Sequence, residues 1–530
     1  MDANDDKNAN PQLVARLRDA IGQENVKTSM MERVLYSHDL APLPNLTQIA
    51  FKNIPDIVVR PHSSEDVVKI VRICADEGVP ITPRGSSTWG LGGSIPIYGG
   101  VLIDFTGGMN KILDIDPVGL TVTAQPGCTW KQVYEACMEK GLLLCSYPSS
   151  FPSATLAGWI STGGIGVGSY KYGSAGQNLR NLEVVMPDGT LVNTGFDKVV
   201  DNQSAYNLTW LIVGAEGTLG VISKVTLKLM PGPEVMKALS YDFENLMAMG
   251  KPLMEMCRKR IDPLHIGFSD GKHFEMLRKA GKHAPEVGSM LNIMLEGDKT
   301  IVEYEEKVID EIMAKHGGKR LEQSIAEHEW DERCYEFRAR EIGIGHIPGE
   351  AVVPLKDFEV FAQRTYKLMD EMNMTGAIIG ILADRNTVMF MPYYFADFDD
   401  LTNLTSFGFN KKFADMSYDY GGRPLGFGAF FASNLDKIRG PGAKYIRAIK
   451  TTIDPDDIMN PGKLVGTSLR GNIRIPPALF EVAMDAMATV KKVLPKDNSV
   501  DQRAEVLAQQ RAKKEREEAV HGHPKEGGKH

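Results

Sequence analysis

Two glycine-rich stretches constrain this chain more than any other feature: residues 83–94, read as Pro83-Arg84-Gly85-Ser86-Ser87-Thr88-Trp89-Gly90-Leu91-Gly92-Gly93-Ser94, and a longer one from Pro148 to Gly173. The first follows the apolar run Val79-Pro80-Ile81-Thr82, which reads as a buried strand feeding a loop of small residues. In such a loop consecutive backbone N–H groups can converge on an anion without side-chain obstruction. The second contains Pro148-Ser149-Ser150 and Thr155-Leu156-Ala157-Gly158-Trp159-Ile160-Ser161-Thr162-Gly163-Gly164. Its backbone can lie close against a flat ring system while its hydroxyls and amides meet ring heteroatoms and phosphates. Either stretch alone reads equally well as a surface loop. Together they have the spacing that a bound dinucleotide needs.

The first stretch resembles the PRGxGTxLxGG segment of the FAD-linked oxidases of the vanillyl-alcohol oxidase and p-cresol methylhydroxylase superfamily. Three further blocks agree in order and spacing. They are Lys171-Tyr172-Gly173 with Leu182-Glu183-Val184-Val185-Met186-Pro187-Asp188-Gly189, then Gly214-Ala215-Glu216-Gly217-Thr218-Leu219-Gly220-Val221-Ile222, and finally Asp454-Pro455 with Met459-Asn460-Pro461-Gly462-Lys463-Leu464. Within the superfamily the chain resembles most the glycolate oxidase and D-lactate dehydrogenase flavoprotein branch, from Pro11 to Gly466. The resemblance implies an α+β fold: a two-subdomain FAD-binding domain of the vanillyl-alcohol oxidase type, plus an α+β cap domain with an antiparallel sheet. Pro231-Gly232-Pro233 punctuates the chain where the flavin domain should end. The expected parts are therefore the FAD-binding domain at residues 1–232, the cap at 233–440, a return segment at 441–470 and a C-terminal extension at 471–530.

Hydrophobic periodicity supports that division. Ser63-Ser64-Glu65-Asp66 followed by Val67, Val68, Ile70, Val71 and Ile73 predicts a capped helix between the strand at Ile57-Val58-Val59 and the strand before Pro83. Val221 to Leu229 alternates as a strand. Beyond residue 233, Glu244 to Arg260 and Ile301 to His316 read as amphipathic helices. Met290 to Leu295, Glu350 to Pro354 and Thr387 to Met391 read as strands.

With 530 residues, 43% hydrophobic and 24% charged, the chain can build two or three domains. Its formal charge of −8 argues against nucleic acid as a partner. The start, Met1-Asp2-Ala3-Asn4-Asp5-Asp6-Lys7, has none of the character of a secretion signal, and no apolar run reaches the roughly 18 residues of a transmembrane segment, so a cytoplasmic location is expected. The six cysteines form no CxxC pair, so no iron–sulfur cluster is expected on this chain itself. The tail from Asp501 to Val520 is dense in charge and reads as a solvated helix or a docking arm for an electron-transfer subunit. His521, His523 and His530 lack a closed ligand set.

Carried over position by position, the resemblance implies FAD contacts at Pro83, Arg84, Gly85, Ser86, Ser87, Thr88 and Ser94. It implies a second set at Pro148, Ser149, Thr155, Gly158, Ser161, Thr162 and Gly163, and further contacts at Gly217, Gly220, Val221, Ile222, Asn460 and Lys463. The histidine that tethers FAD in some relatives has no counterpart, because Ser86, Ser87 and Thr88 occupy that loop; non-covalent FAD is expected.

The catalytic half departs from the hydroxyacid branch. There a GHxGDGNxH segment supplies two histidines suited to a divalent metal, whereas this chain has Gly380-Ile381-Leu382-Ala383-Asp384-Arg385-Asn386-Thr387-Val388. A later GEHGIG-like segment appears as Gly426-Phe427-Gly428-Ala429-Phe430-Phe431-Ala432. Apolar side chains cannot ligate a metal, so none is expected, and the pocket should be drier and suit a bulkier, more apolar substrate. Candidate catalytic groups are Arg338, for a substrate carboxylate or in an ion pair, and His346, as a base or as a structural histidine. Tyr393, Tyr394, Arg385 and Asp384 are further candidates. The expected activity is an FAD-dependent dehydrogenase that oxidises the C–OH of a 2-hydroxy acid or alcohol, a small-molecule substrate, and passes electrons to a separate carrier protein or iron–sulfur subunit. A 4-alkylphenol or aryl-alcohol oxidoreductase and a flavin-bearing scaffold subunit are the alternatives, and a homodimer is compatible with each.

Overall fold

Three large β-sheets organise the chain, and the computed structural model describes residues 10–40, 52–201, 205–333, 338–343, 345–396, 405–429, 431–465, 468–469, 473–474, 477–496 and 499–520. In the first sheet the strands Ile57–Val59, Val101–Asp104 and Ile81–Arg84 run parallel in that spatial order, with Val26–Lys27 antiparallel at one edge. Helix Ser64–Asp76 is the crossover from Ile57–Val59 to Ile81–Arg84, the two strands that flank Val101–Asp104. Ser63 caps this helix by accepting from the Asp66 amide, and Val67, Ile70, Val71, Ile73 and Cys74 are buried. Ile57, Val58 and Val59 are all fully buried, the unbroken apolar run of a strand covered on both faces.

The second sheet is antiparallel. Its order is Ile112–Asp116, Thr121–Ala124, Val221–Pro231, Leu179–Val185 and Leu191–Asn193, with Leu142–Leu144 paired to the far end of Val221–Pro231. Helix Trp130–Met138 opens with a capping box between Thr129 and Gln132 and drives Trp130, Val133 and Cys137 into this sheet's core.

The third sheet has nine strands, all paired antiparallel. From one edge its order is Lys319–Arg320, Val235–Phe243, Ser289–Gly297, His265–Asp270, Gly376–Leu382, Thr387–Ala396, Ala351–Pro354 and Arg423–Pro424; Gly345–Pro348 also pairs with Thr387–Ala396. Strand alternation gives the sheet two different faces. Ile378, Val388 and Phe390 enter a core built with helices Lys299–Lys315 and Phe358–Glu371, while Ile381 and Met389 form a small cluster on the opposite face. The fold is thus α+β, with a mixed two-sheet part and a cap on an antiparallel sheet.

After the cap, helix Ala443–Ile453 leads to residues 454–465, which touch the first sheet again through an isolated bridge between Met459 and Ile81. Helices Pro477–Val493 and Ser499–Val520 follow. The second stays largely exposed but buries Val500 against the cap, while His521, His523 and His530 lie outside the described residues. No described helix is long and apolar enough to cross a membrane.

Candidate active site

Strand Ile81–Arg84 delivers the chain to Gly85, where regular structure stops. Ser87 takes the left-handed conformation at φ 54°, and its hydroxyl meets that of Ser94 at 2.7 Å. The Gly92 amide donates to Asp39 at 2.7 Å, which pins the loop from the N-terminal side. The Arg84 guanidinium turns back as well, donating to the carbonyls of Tyr36, His38 and Ser94. In the second segment, helix Leu156–Ser161 runs into Gly163 at φ +69°. A Cβ on Gly164 would stand 2.0 Å from Trp159 Nε1 and one on Gly166 2.3 Å from the Tyr147 carbonyl, so both positions demand glycine.

The two segments line one cavity. Pro83, Arg84, Gly85, Ser86, Ser87, Thr88 and Ser94 contribute from the first. Pro148, Ser149, Thr155, Gly158, Ser161, Thr162 and Gly163 contribute from the second, and Gly217, Gly220 and Ile222 from the segment ahead of and opening strand Val221–Pro231. Of the expected cofactor contacts, Val221 points elsewhere, into the core of the first sheet. Asn460 and Lys463 do not line the cavity but stand behind it. The Asn460 amide donates to the carbonyls of Gly93 (2.8 Å) and Glu216 (2.7 Å), and Lys463 Nζ donates to that of Ile95 (2.7 Å). Burial pushes the Lys463 amine down to about 7, with Glu216 and Asp39 opposing.

The cap closes the cavity with an apolar surface of Ile381, Met389, Met391 and Leu425. It also brings two ionisable groups that the sequence had not marked, Glu350 and His265, and the flavin-domain side adds Glu216. Glu216 accepts from the amides of Phe427 (3.1 Å) and Gly428 (2.8 Å). Burial pushes its carboxyl up to about 7 against those two bonds and Lys463. Glu350 accepts from Trp89 Nε1 at 3.2 Å, and burial pushes it up to about 7 as well. His265 is held neutral, down to about 3, by burial and by Arg333. Its Nδ1 is buried with no hydrogen-bond partner, and the ring also borders a second, smaller cavity that shares Ile381 with the first.

The expected catalytic residues are mostly elsewhere. Arg338 lines the second cavity, paired with Glu329 at 3.2 Å and Glu332 at 3.7 Å. Tyr393 lies on the same strand face as Met389 and Met391 but further along, where its hydroxyl meets His273 Nδ1 at 2.8 Å. Tyr394 faces the helix side and donates to the Ser406 carbonyl. Arg385 occupies the turn between Gly376–Leu382 and Thr387–Ala396, donating to the carbonyls of Cys257, Lys259 and Ile261. Asp384 accepts from the Asn386 amide in the same turn. None of these five lines the main cavity. His346 belongs to strand Gly345–Pro348, and its side chain lies outside the described residues. Of the two positions where imidazoles were sought, Ile381 faces the cavity and Val388 the cap core. Among the described residues no cluster of three histidine, cysteine or carboxylate side chains is arranged to hold a metal.

These residues fit FAD. Gly85, Gly164, Gly166 and Gly217 leave no room for a Cβ, the hydroxyl residues Ser86, Ser87, Thr88, Ser149, Ser161 and Thr162 line the cavity, and the one carboxylate on the flavin-domain side has both oxygens taken by amides. An anionic pyrophosphate therefore meets donors, and a planar ring meets backbone and apolar side chains.

Comparison with known proteins agrees. Residues 55–195 match the FAD binding domain family and residues 232–464 the family of FAD linked oxidases, C-terminal domain. The chain is 29% identical over 470 residues to the glycolate oxidase subunit GlcD of Bacillus subtilis, covering 85% of this chain and 96% of that protein. It is 28% identical over 469 residues to the mitochondrial D-lactate dehydrogenase [cytochrome] of Arabidopsis thaliana, covering 86% and 80%. Among solved structures, p-cresol methylhydroxylase superposes with a TM-score of 0.75 at 20% identity over 87% of this chain and 98% of its own, which is a likeness of fold. With both family domains matched in order and relatives of this kind, the chain belongs to the FAD-linked oxidases, as an oxidoreductase of the glycolate oxidase and D-lactate dehydrogenase type.

Proposed function

We propose that this flavoprotein is a dehydrogenase that oxidises the C–OH carbon of a 2-hydroxy acid or alcohol with an apolar body, and that a separate carrier or iron–sulfur subunit takes the electrons. The observation that carries the reading is the single cavity between the two glycine-rich segments and the cap, with Ile381, Met389 and Met391 where the substrate would lie against the cofactor. Bound FAD supplies a two-electron acceptor. The chain's residues supply the rest: small residues and hydroxyls hold the cofactor without a covalent link, and the apolar cap surface excludes water and selects a hydrophobic substrate. The names of the relatives support a 2-hydroxy acid, and that of the Arabidopsis protein a separate electron acceptor.

Oxidation of a phenol has less support, because no tyrosine is among the described residues lining the cavity, and Tyr393 and Tyr394 bond elsewhere. The test is the visible spectrum of the purified holoprotein, with its metal content, before and after anaerobic addition of 2-hydroxy acids, alcohols and phenols. Bleaching by a hydroxy acid or alcohol without stoichiometric metal is expected. Bleaching by phenols alone would favour the alkylphenol reaction, and no bleaching by any compound would overturn the dehydrogenase reading.

A further inference from the structure

We infer that Glu350 is the catalytic base that takes the hydroxyl proton of the substrate, an assignment that rests on the dehydrogenase reading above. Glu350 stands immediately before strand Ala351–Pro354 of the cap and lines the cavity together with the apolar residues Ile381, Met389 and Leu425. Among the described residues its one side-chain partner is the indole of Trp89, which donates to Oε1 at 3.2 Å. Trp89 is itself packed in place: a Cβ on Gly426 would stand 1.7 Å from its ring, so the indole is in close contact with that glycine. One carboxylate oxygen thus accepts from a donor on the flavin-domain side, and the other has no donor among the described residues.

The remaining titratable groups of the described lining are poorly suited to the task. Glu216 has an amide on each oxygen. Arg84 is a cation committed to three carbonyls. His265 is held neutral with a depressed affinity for protons by burial and Arg333. The strands Gly376–Leu382 and Thr387–Ala396 present only Gly380, Ile381, Met389 and Met391 to the cavity, and the loop after Arg423–Pro424 only Leu425 and Gly426. Arg423 itself borders a separate surface recess with Arg385 and Arg439. Among the described residues no cation pairs with Glu350. Its proton affinity, raised by burial to about 7, is near the optimum for a base that must be ionised at neutral pH and still accept a proton.

In the step this permits, the substrate O–H breaks and its proton goes to the Glu350 carboxylate. The electrons of the O–H bond would then close the C=O bond while the hydrogen on that carbon left with both its electrons; bound FAD would supply the two-electron acceptor that balances the two-electron oxidation of the alcohol carbon, and the proton on Glu350 would later exchange with solvent.

The experiment uses the holoenzyme and two readouts. The first is anaerobic stopped-flow reduction of the flavin, by whichever hydroxy acid or alcohol bleaches the wild type, between pH 5 and 9. The second is the indole N–H cross-peak of Trp89, assigned among the five tryptophans with W89F. For the wild type we expect a reduction rate that rises with pH through about 7 and a cross-peak that moves over the same range. For E350Q we expect full flavin content, a fixed cross-peak and a rate lower by about 10²–10⁴-fold; E350D should be intermediate and keep the pH profile. E350Q reacting at the wild-type rate, or a wild-type cross-peak and rate that ignore pH in this range, would overturn the assignment alone. A wild-type flavin that no compound reduces would overturn the dehydrogenase reading and, with it, the assignment.

Discussion

A Cβ placed on Gly85 would stand 2.0 Å from Oγ1 of Thr155, so the two glycine-rich segments touch where only a hydrogen atom fits. Gly85→Ala should therefore push the segments apart and weaken FAD retention tenfold or more, a loss of about 1.4 kcal/mol. Removing the obstructing atom in Gly85→Ala/Thr155→Ala should restore much of it. Bound flavin per protein after dialysis, read from the visible spectrum, checks both.

Arg338 and Glu329 form a buried ion pair, with side chains 9% and 6% exposed. Arg338→Ala would strand the Glu329 carboxylate, and the expected destabilisation is about 3–5 kcal/mol. Adding Glu329→Gln should recover a large part, as measured by denaturant unfolding. A rise in KM with unchanged stability would instead mean that Arg338 holds a substrate anion.

His265 and His273 are both held neutral by burial, with Arg333 and Arg338 respectively adding to the effect, and both fall to about 3. Between about pH 3 and the unfolded value near 6.5 the unfolded chain binds more protons at these sites than the folded one, so each contributes stability that is lost as pH falls through that window. Thermal unfolding from pH 7 to pH 4 should therefore show a shallower fall for His265→Asn than for the wild type. Parallel curves would contradict a buried neutral imidazole.

Asn460 bonds the carbonyls of Gly93 and Glu216 from a left-handed backbone position at φ 39°. Asn460→Gly relieves the backbone and keeps only the loss of the amide, so two carbonyls go without that donor. The expected cost is about 1–3 kcal/mol, together with a lower flavin content. Retained flavin and an unchanged melting temperature would separate the clasp from the cofactor site.

The glycine-rich segments were legible in the sequence because their chemistry is local: a run of small residues after a strand means the same in any fold. The capped helix Ser64–Asp76 was legible for a similar reason, since Ser63 and the apolar stripe are neighbours in the chain. Glu350, His265 and Glu216 were not, because their surroundings come from segments far apart. The donor to Glu350 is 261 residues away, and a glutamate opening a strand carries no local sign of burial. The tyrosines misled for a different reason. Adjacent strand residues face opposite ways, so Tyr393 and Tyr394 could not both border one pocket. Register then set Met389 and Met391 over the cavity and carried Tyr393 past it to His273.

The clasp made by Asn460 and Lys463 also sets an order of assembly during synthesis. These residues grip Gly93 and Ile95 from 367 and 368 positions downstream, with the whole cap threaded between. A nascent chain that has released only its first 232 residues carries both glycine-rich segments but not the side chains that brace the end of the first. That brace forms only after the cap has been made, and truncation anywhere within the cap leaves an N-terminal fragment without the Asn460 and Lys463 donors.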